Sequence, residues 1–293
     1  MSSNHKKHRR SETKGQKTVR RILAFFLFLS ISFLSLMLCV RTSFVSKSAI
    51  INTFTSDTYV SGVYKSVYDY AHDLCDECAI PYDSIDETVS YNSVYRIQKA
   101  YYNGILSASE DYTDTTYTDY IATLGKDLED STLSMLKKYN ISTAGNTEKD
   151  VKQFSKKITD YLTGVTRLKF TDRLSSVLSF AQTASLIAAA AVFLLALVLA
   201  LFVVSIGTKL YRALRDIAVS FFAAGLMNIL LVVGVEAVKH FKRLLLYPLY
   251  FSQALTEYVD KCIFSVGVSS AVLFFTGLIV AAVVWRLNRN ENN

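Results

Sequence analysis

The amino-acid sequence has few of the residues on which several classes of protein depend. Its 293 residues include 2 prolines and 11 glycines, too few for a collagen-like or low-complexity chain. Four cysteines spread over this length do not make a disulfide scaffold. Only 19% of the residues are charged while 51% are hydrophobic, which excludes a disordered chain and is too apolar for an ordinary soluble domain. We therefore expect an integral membrane protein.

The sequence also lacks the motifs of the common enzyme classes. It contains no glycine-rich phosphate loop, no Gly-x-Ser-x-Gly, no His-Glu-x-x-His and no kinase signature. Of its 4 histidines, His5 and His8 lie in a basic N-terminal segment, which leaves few groups for acid–base chemistry near neutral pH. We predict no enzymatic activity, no catalytic residue and no cofactor.

The excess positive charge is confined to one short segment. Residues 1–21 hold eight Lys or Arg and a single acid, Glu12. Residues 41–175 hold 15 Lys or Arg against 19 Asp or Glu, so the largest polar region is acidic. A nucleic-acid-binding protein needs basic residues on a folded surface, so we expect no nucleic-acid partner. The basic arm 1–21 is instead typical of a membrane topology signal.

Four apolar segments are each long enough to cross a bilayer, which needs about 20 residues for a hydrocarbon core of about 30 Å. We place transmembrane helices at 22–40, 176–208, 217–238 and 263–285, the second with a less apolar lead-in. The first contains 13 Leu, Ile, Phe or Val residues. Its insertion is therefore favourable by about 4 to 8 kcal/mol before its serines are discounted. The lipid bilayer is the expected partner of all four.

The first apolar segment could also be the core of a cleaved signal peptide, because signal peptides and membrane anchors both have basic residues before the apolar run. Its apolar run is longer than that of a signal peptide, and the residues from Leu38 to Arg41 offer no small-residue cleavage site. We favour an uncleaved anchor.

The Lys and Arg residues beside the spans favour a cytoplasmic location for both termini. In that orientation the cytoplasmic segments, which include the tail 286–293, contain 13 of them, and the opposite loop 239–262 contains four. By the positive-inside rule, we predict a multi-pass plasma-membrane protein with 41–175 in the extracytoplasmic space. The loop 239–262 includes an apolar, aromatic stretch, 244–251, which lies in the membrane interface or forms a re-entrant loop.

Residues 41–175 are expected to form a bundle of helices. Apolar residues recur there at the i, i+3, i+4, i+7 spacing of amphipathic helices, in series over 60–78, 94–105, 117–135 and 151–168. Pro81 ends the first helix, and no segment alternates with the period of a strand. The predicted fold is all-α, with an extracytoplasmic helical bundle inserted between the first and second of four transmembrane helices.

Tyrosine and acidic residues are concentrated in this domain, which holds 14 of the 18 tyrosines. Many lie on the apolar stripes, as expected where a thin bundle keeps the hydroxyl in water. The alternative is an aromatic surface for sugars, peptides or a cell-wall polymer. No Lys or Arg occurs from Ser66 to Tyr95. We interpret the acids there as a solvated face, since their spacing does not fit a calcium loop.

A short pattern in this domain resembles one found in other bacterial proteins. An Ile-Pro break after a tyrosine- and acid-rich helix is followed by a Val…Tyr…Tyr-x-Gly helix and then by three further spans. The residues are Ala79-Ile80-Pro81, Val94, Tyr95, Tyr101, Tyr102 and Gly104. The architecture resembles that of uncharacterised multi-pass membrane proteins of Gram-positive bacteria. This resemblance implies no particular activity.

The sharpest local motif is His72-x-x-Cys75-Asp76-Glu77-Cys78. Outside the cytoplasm, Cys75 and Cys78 could form a disulfide, remain structural thiols or act as a redox pair, and together with His72 they could hold a metal. A reactive thiol needs a lowered pKa, whereas the C-terminal end of a helix and nearby carboxylates raise it. We favour a disulfide or structural thiols, and predict no metal site.

Two polar residues lie within the third span. Glu236 is the one carboxylate inside the assigned spans, and such acids are candidates for proton or ion coupling. It lies near the end of the helix beside Lys239 and His240, where a local ion pair costs little. Asn228 is interpreted as an interhelical hydrogen-bonding residue. Small residues at Ala181, Ser185 and Ala189, and at Gly267 and Ala271, predict close packing of the C-terminal spans.

These features favour a non-enzymatic membrane protein that binds, senses or acts as a scaffold through its extracytoplasmic domain. The expected partner is an envelope component or a membrane protein. One alternative is a transport or channel subunit that uses Glu236 and Asn228. The other is an envelope thiol–disulfide protein that uses Cys75 and Cys78.

Overall fold

The described part of the chain comprises residues 13–106, 114–141, 147–167, 171–207, 210–238 and 246–292 of a computed structural model. All regular secondary structure in these ranges is helical, which confirms the predicted all-α class. The helices are α1 (Lys14–Cys39), α2 (Lys47–Phe54), α3 (Asp57–Cys78), α4 (Asp83–Asp86), α5 (Tyr91–Leu106), α6 (Asp114–Lys138), α7 (Thr147–Thr166), α8 (Thr171–Ile206), α9 (Leu210–Val238) and α10 (Leu249–Asn292). A π-helical turn, Val40–Phe44, follows α1.

Four of these helices are long and apolar enough to cross a membrane, as predicted. The candidate spans are Lys14–Phe44, Arg173–Ile206, Leu210–Val238 and Leu249–Arg289. Each exceeds the length that a hydrocarbon core requires and begins before the apolar segment predicted for it. The region between the first and second spans is helical, which is also as predicted.

The chain divides into two compact units. The first, here called the membrane bundle, comprises Met1–Phe44, Ala181–His240 and Asp260–Asn293. The second, here called the helical domain, comprises Val45–Phe180 and Phe241–Val259. The helical domain therefore includes the predicted bundle 41–175 almost entirely, together with residues that we had expected in a loop.

Helix α3 shows how local sequence sets the boundaries of the helical domain's elements. The Ser56 side chain accepts a hydrogen bond from the Tyr59 amide and caps the first turn, where Asp57 also favours a helix start. The helix ends when Ala79 adopts a left-handed conformation with φ of 52°. Pro81 then prevents any continuation of the helix, as predicted from the sequence.

The apolar stripes predicted from spacing form the core of the helical domain. From α3, Val60, Val63 and Val67 are completely buried. Helices α5, α6 and α7 also bury residues of the apolar series predicted for them. These residues are Val94, Ile97, Tyr101, Tyr117, Leu124, Leu128, Met135, Val151, Phe154 and Ile158. Leu168, at the end of the fourth series, lies outside the described residues.

The start of α10 belongs to the core of the helical domain, whereas we had predicted that 239–262 is a loop. Tyr250 and Phe251 pack against this core, with the Tyr250 ring 5.4 Å from that of Tyr59 and the Phe251 ring 6.1 Å from that of Phe54. Aromatic residues that can be buried against other rings gain more there than in an interfacial loop. Residues 239–245 lie outside the described ranges.

Within the membrane bundle, α1 and α9 are joined by polar contacts in one fixed register. Three contacts connect positions that are 196 residues apart, so the two helices are parallel. The Arg20 Nε donates to Asp216 at 2.5 Å, the Ser220 hydroxyl to the Ala24 carbonyl at 2.9 Å, and the Ser32 hydroxyl to Asn228 at 2.7 Å. Helix α1 also meets α10, where Ser35 hydrogen-bonds with Ser269 at 2.7 Å.

Helices α9 and α10 approach each other at two glycines. A Cβ atom on Gly225 would lie 2.6 Å from the Phe274 amide nitrogen, and one on Gly277 would lie 2.6 Å from that of Phe222. Such distances are possible only without a side chain. The glycine that we had predicted at a helix contact, Gly267, has no neighbouring atom within 4 Å of its Cβ position, so that prediction is wrong.

Candidate functional site

Cys75 and Cys78 lie on the last two turns of α3 and differ in their environments. Cys75 is buried in the core of the helical domain, Cys78 is exposed, and both are free thiols in this structure. Burial, and to a smaller extent the neighbouring Cys78, Asp76 and Asp86, together raise the pKa of the Cys75 thiol to about 12. The sequence predicts a raised pKa from the helix C-terminal end and the carboxylates, whereas burial is the largest cause in the structure. Cys75 is therefore a protonated, poorly nucleophilic thiol at neutral pH.

His72 is held by aromatic rings. Its imidazole lies 4.3 Å from the Tyr68 ring and 4.6 Å from the Tyr82 ring, measured between centroids. The Nε2 atom is 3.5 Å from an Asp86 oxygen, which is within ion-pair distance, but the pair lacks hydrogen-bond geometry. Across the described residues, no three His, Cys, Asp or Glu side chains are grouped so as to hold a metal ion.

His72 is part of a continuous row of rings along α3, α5 and the segment after α3, which we call the aromatic band. Neighbouring rings in the band have centroids between 4.3 and 6.5 Å apart. In spatial order, the band consists of Tyr95, Tyr91, Tyr64, Tyr68, His72 and Tyr82. All six side chains are partly or largely exposed. The band is thus a surface feature, unlike the buried Tyr59, Tyr101, Tyr102 and Tyr117.

The aspartates around the band accept hydrogen bonds from tyrosine hydroxyls. Tyr68 donates to Asp86 at 2.6 Å, and Tyr91 donates to Asp57 at 2.7 Å. Two further pairs are Tyr139 with Asp83 and Tyr82 with Asp76. The hydrogen bond to Asp86 raises the pKa of Tyr68 to about 12, and burial followed by the bond to Asp57 raises that of Tyr91 to about 12. These phenols therefore remain protonated donors at neutral pH.

The hydrogen bonds between tyrosines and aspartates refine two interpretations made from the sequence: that the acids form a solvated face, and that the tyrosines lie on the apolar stripes. Asp57, Asp76 and Asp86 are exposed and Asp83 is partly buried, as expected of a solvated face, but all four also accept hydrogen bonds from phenol donors. The tyrosines divide into a buried set and a surface set. The signal that identifies the surface set is a spacing of four, since Tyr64, Tyr68 and His72 repeat on α3 and Tyr91 and Tyr95 on α5. Residues four apart lie on one face of a helix.

The two polar residues predicted in the third span do not converge on one point. Asn228 is completely buried and hydrogen-bonds reciprocally with Ser32, which is the interhelical role predicted for it. Glu236 lies eight residues further along α9, a separation of about 12 Å along a helix axis. Lys239 and His240, its predicted neighbours, lie outside the described residues.

The ion pair between Arg20 and Asp216 is not predicted from the sequence. Both side chains are largely buried, at 5% and 13% exposure. The sequence places Arg20 in the basic cytoplasmic arm 1–21 and begins the third span at 217, one residue after Asp216. An acid among arginines directly before an apolar run was the available signal, because a carboxylate placed there needs a cation.

Comparison with known proteins finds no protein family, no curated protein and no solved structure that matches the chain. The resemblance to Gram-positive membrane proteins therefore stays a prediction.

Proposed function

We propose that this chain is a non-enzymatic binding protein of a bacterial plasma membrane, with its helical domain on the extracytoplasmic side. The orientation is supported by the eight Lys and Arg residues of the first 21 positions and by the further arginines beside α9 and α10. The Tyr68 phenol and the Cys75 thiol have raised pKa values and so stay protonated at neutral pH, which makes both poor nucleophiles and supports a non-enzymatic role.

The aromatic band is the observation that carries this proposal. Six aromatic rings lie in one row, and aspartates flank the part of the row that falls in the stretch 66–95, which has no Lys or Arg. Ring faces and carboxylates both attract positive charge. Hydrogen bonds to Asp86 and Asp57 hold two of the rings in place before a partner arrives. The proposed partner is therefore an envelope or membrane protein that presents basic side chains to the band.

Binding of a basic probe tests this surface. The full chain is placed in nanodiscs of zwitterionic lipid, and its affinity for an oligolysine peptide is compared with that for oligoglutamate. Replacing Tyr64 and Tyr68 by Leu removes two rings, and at about 0.5 to 1 kcal/mol per exposed cation–π contact the oligolysine affinity falls about 5- to 30-fold. Tyr120→Leu is the control, because Tyr120 is exposed outside the band. Equal affinities of the two variants would reject the band as the binding surface.

The cysteines provide a test of the orientation. Cys39, Cys75 and Cys262 are buried, so Cys78 is the one exposed cysteine of the four. A membrane-impermeant maleimide is expected to label intact cells at Cys78 and to leave a Cys78→Ser variant unlabelled. Labelling that requires permeabilised cells would reject the extracytoplasmic location. Labelling that requires prior reduction would instead support the predicted Cys75–Cys78 disulfide.

A further inference from the structure

The membrane bundle has an apolar groove between α9 and α10 that ends among arginines and aromatic residues. The groove has a volume of about 350 Å³. Its apolar wall includes Val219, Phe222 and Gly277, and its polar end is formed by Tyr211, Arg215, Trp285 and Asn288. Because Gly277 has no side chain, the two helices come close enough there to form the floor of the groove.

Arg215 brings positive charge to the polar end of the groove. Asp216 is the acid beside it, and its Oδ2 is already bonded to the buried Arg20 at 2.5 Å. Arg215 lies 3.7 Å from the other Asp216 oxygen, and its side chain is 60% exposed. The guanidinium groups of Arg212 and Arg289 lie over the rings of Tyr211 and Trp285, at 5.8 and 6.0 Å. Arg20 and Arg215 therefore both lie within ion-pair distance of Asp216.

We propose that this groove binds an anionic phospholipid, with the phosphate at Arg215 and an acyl chain along Phe222 and Gly277. Tyr and Trp side chains are typical of the headgroup level of a bilayer, so the arginines lie where a lipid phosphate lies. Basic pockets between transmembrane helices are the usual sites for acidic headgroups. The apolar wall matches an acyl chain and does not match a soluble anion.

Trp285 reports directly on this site, because it is the single tryptophan of the chain and lines the groove. The full chain is reconstituted in vesicles that contain equal amounts of phosphatidylglycerol and phosphatidylcholine. Bromine atoms, which quench tryptophan on contact, are placed on the acyl chains of one lipid or of the other. An arginine near the membrane surface enriches an anionic lipid about fivefold. Brominated phosphatidylglycerol is therefore expected to quench Trp285 more than brominated phosphatidylcholine does.

Two arginine variants distinguish a site from general attraction to the charged end of the bundle. Arg215→Gln is expected to abolish the difference in quenching. Arg286→Gln removes the same charge from an exposed position one residue from Trp285 that does not line the groove, and it is expected to keep the difference. Equal quenching of the wild-type chain by the two lipids would overturn the proposal, as would an equal loss of preference in both variants.

Discussion

The substitution Gly62→Ala tests the contact between α3 and the start of α10. A Cβ atom at position 62 would lie 2.1 Å from the Cβ and 2.5 Å from the Cγ of Tyr250. The overlap is with the root of the tyrosine side chain, so a rotamer change cannot remove it and the backbone of α10 must move.

The expected cost is the sum of three effects. Alanine gains about 1 kcal/mol over glycine in a helix. Overpacking in a core costs about 1 to 3 kcal/mol. A displaced α10 also weakens the ring contacts of Tyr250 with Tyr59 and of Phe251 with Phe54, which contribute about 0.5 to 1.5 kcal/mol each. We expect Gly62→Ala to lower the free energy of unfolding of the helical domain by about 2 kcal/mol.

Alkylation of Cys75 measures this change. Its side chain is 1% exposed in the core of the helical domain, so a thiol reagent reaches it only after the domain opens. In a Cys78→Ser background, a loss of about 2 kcal/mol speeds alkylation of Cys75 about 30-fold, as followed by mass spectrometry.

Gly164→Ala is the matched control, because no atom lies within 4 Å of its Cβ position on α7. We expect this variant to slow the alkylation or leave it unchanged. If Gly62→Ala behaved like Gly164→Ala, the packing of α10 against α3 would be refuted.

Three further predictions concern single contacts. Asn228→Leu removes the hydrogen bonds with Ser32. We expect the unfolding free energy of the membrane bundle to fall by about 0.6 kcal/mol, as measured by titration with a denaturing detergent. A gain in stability would contradict the contact. Gly277→Ala is expected to lower the thermal midpoint of the full chain, whereas Gly267→Ala leaves it within error, since only the former lacks room for a methyl group. The pKa of Tyr68 is raised to about 12 in the folded state. The hydrogen bond from Tyr68 to Asp86 therefore stabilises the fold fully below about pH 10, the pKa of a free phenol. This stabilisation is lost as the pH rises toward 12. Tyr68→Phe should therefore weaken the pH dependence of stability in that range, and an unchanged dependence would show that the hydrogen bond to Asp86 is absent.

The length of the apolar runs is sufficient to predict the spans, and periodicity is sufficient to predict much of the core of the helical domain. Val60, Val63 and Val67 are buried where a period of 3.6 places them, because each helix must cover its apolar stripe. This part of the fold follows from residues that are near one another in the sequence.

The features that could not be predicted depend on residues far apart in the chain. The contact of Gly62 with Tyr250 and the pair of Arg20 with Asp216 each join segments separated by more than half of the sequence. A glycine within a helix and an aspartate before an apolar run each have several explanations when taken alone. Only the tertiary structure supplies the neighbour that selects one of them.

The register between α1 and α9 has a consequence for the order in which the protein assembles. The ribosome makes each α9 residue of these contacts 196 residues after its counterpart in α1, a delay of roughly 10 to 40 s at typical rates of synthesis. Throughout that interval α1 must stay in the bilayer while its serines and Arg20 await their later counterparts. These polar contacts between α1 and α9 can therefore form only after α9 has been made, late in the synthesis of the chain.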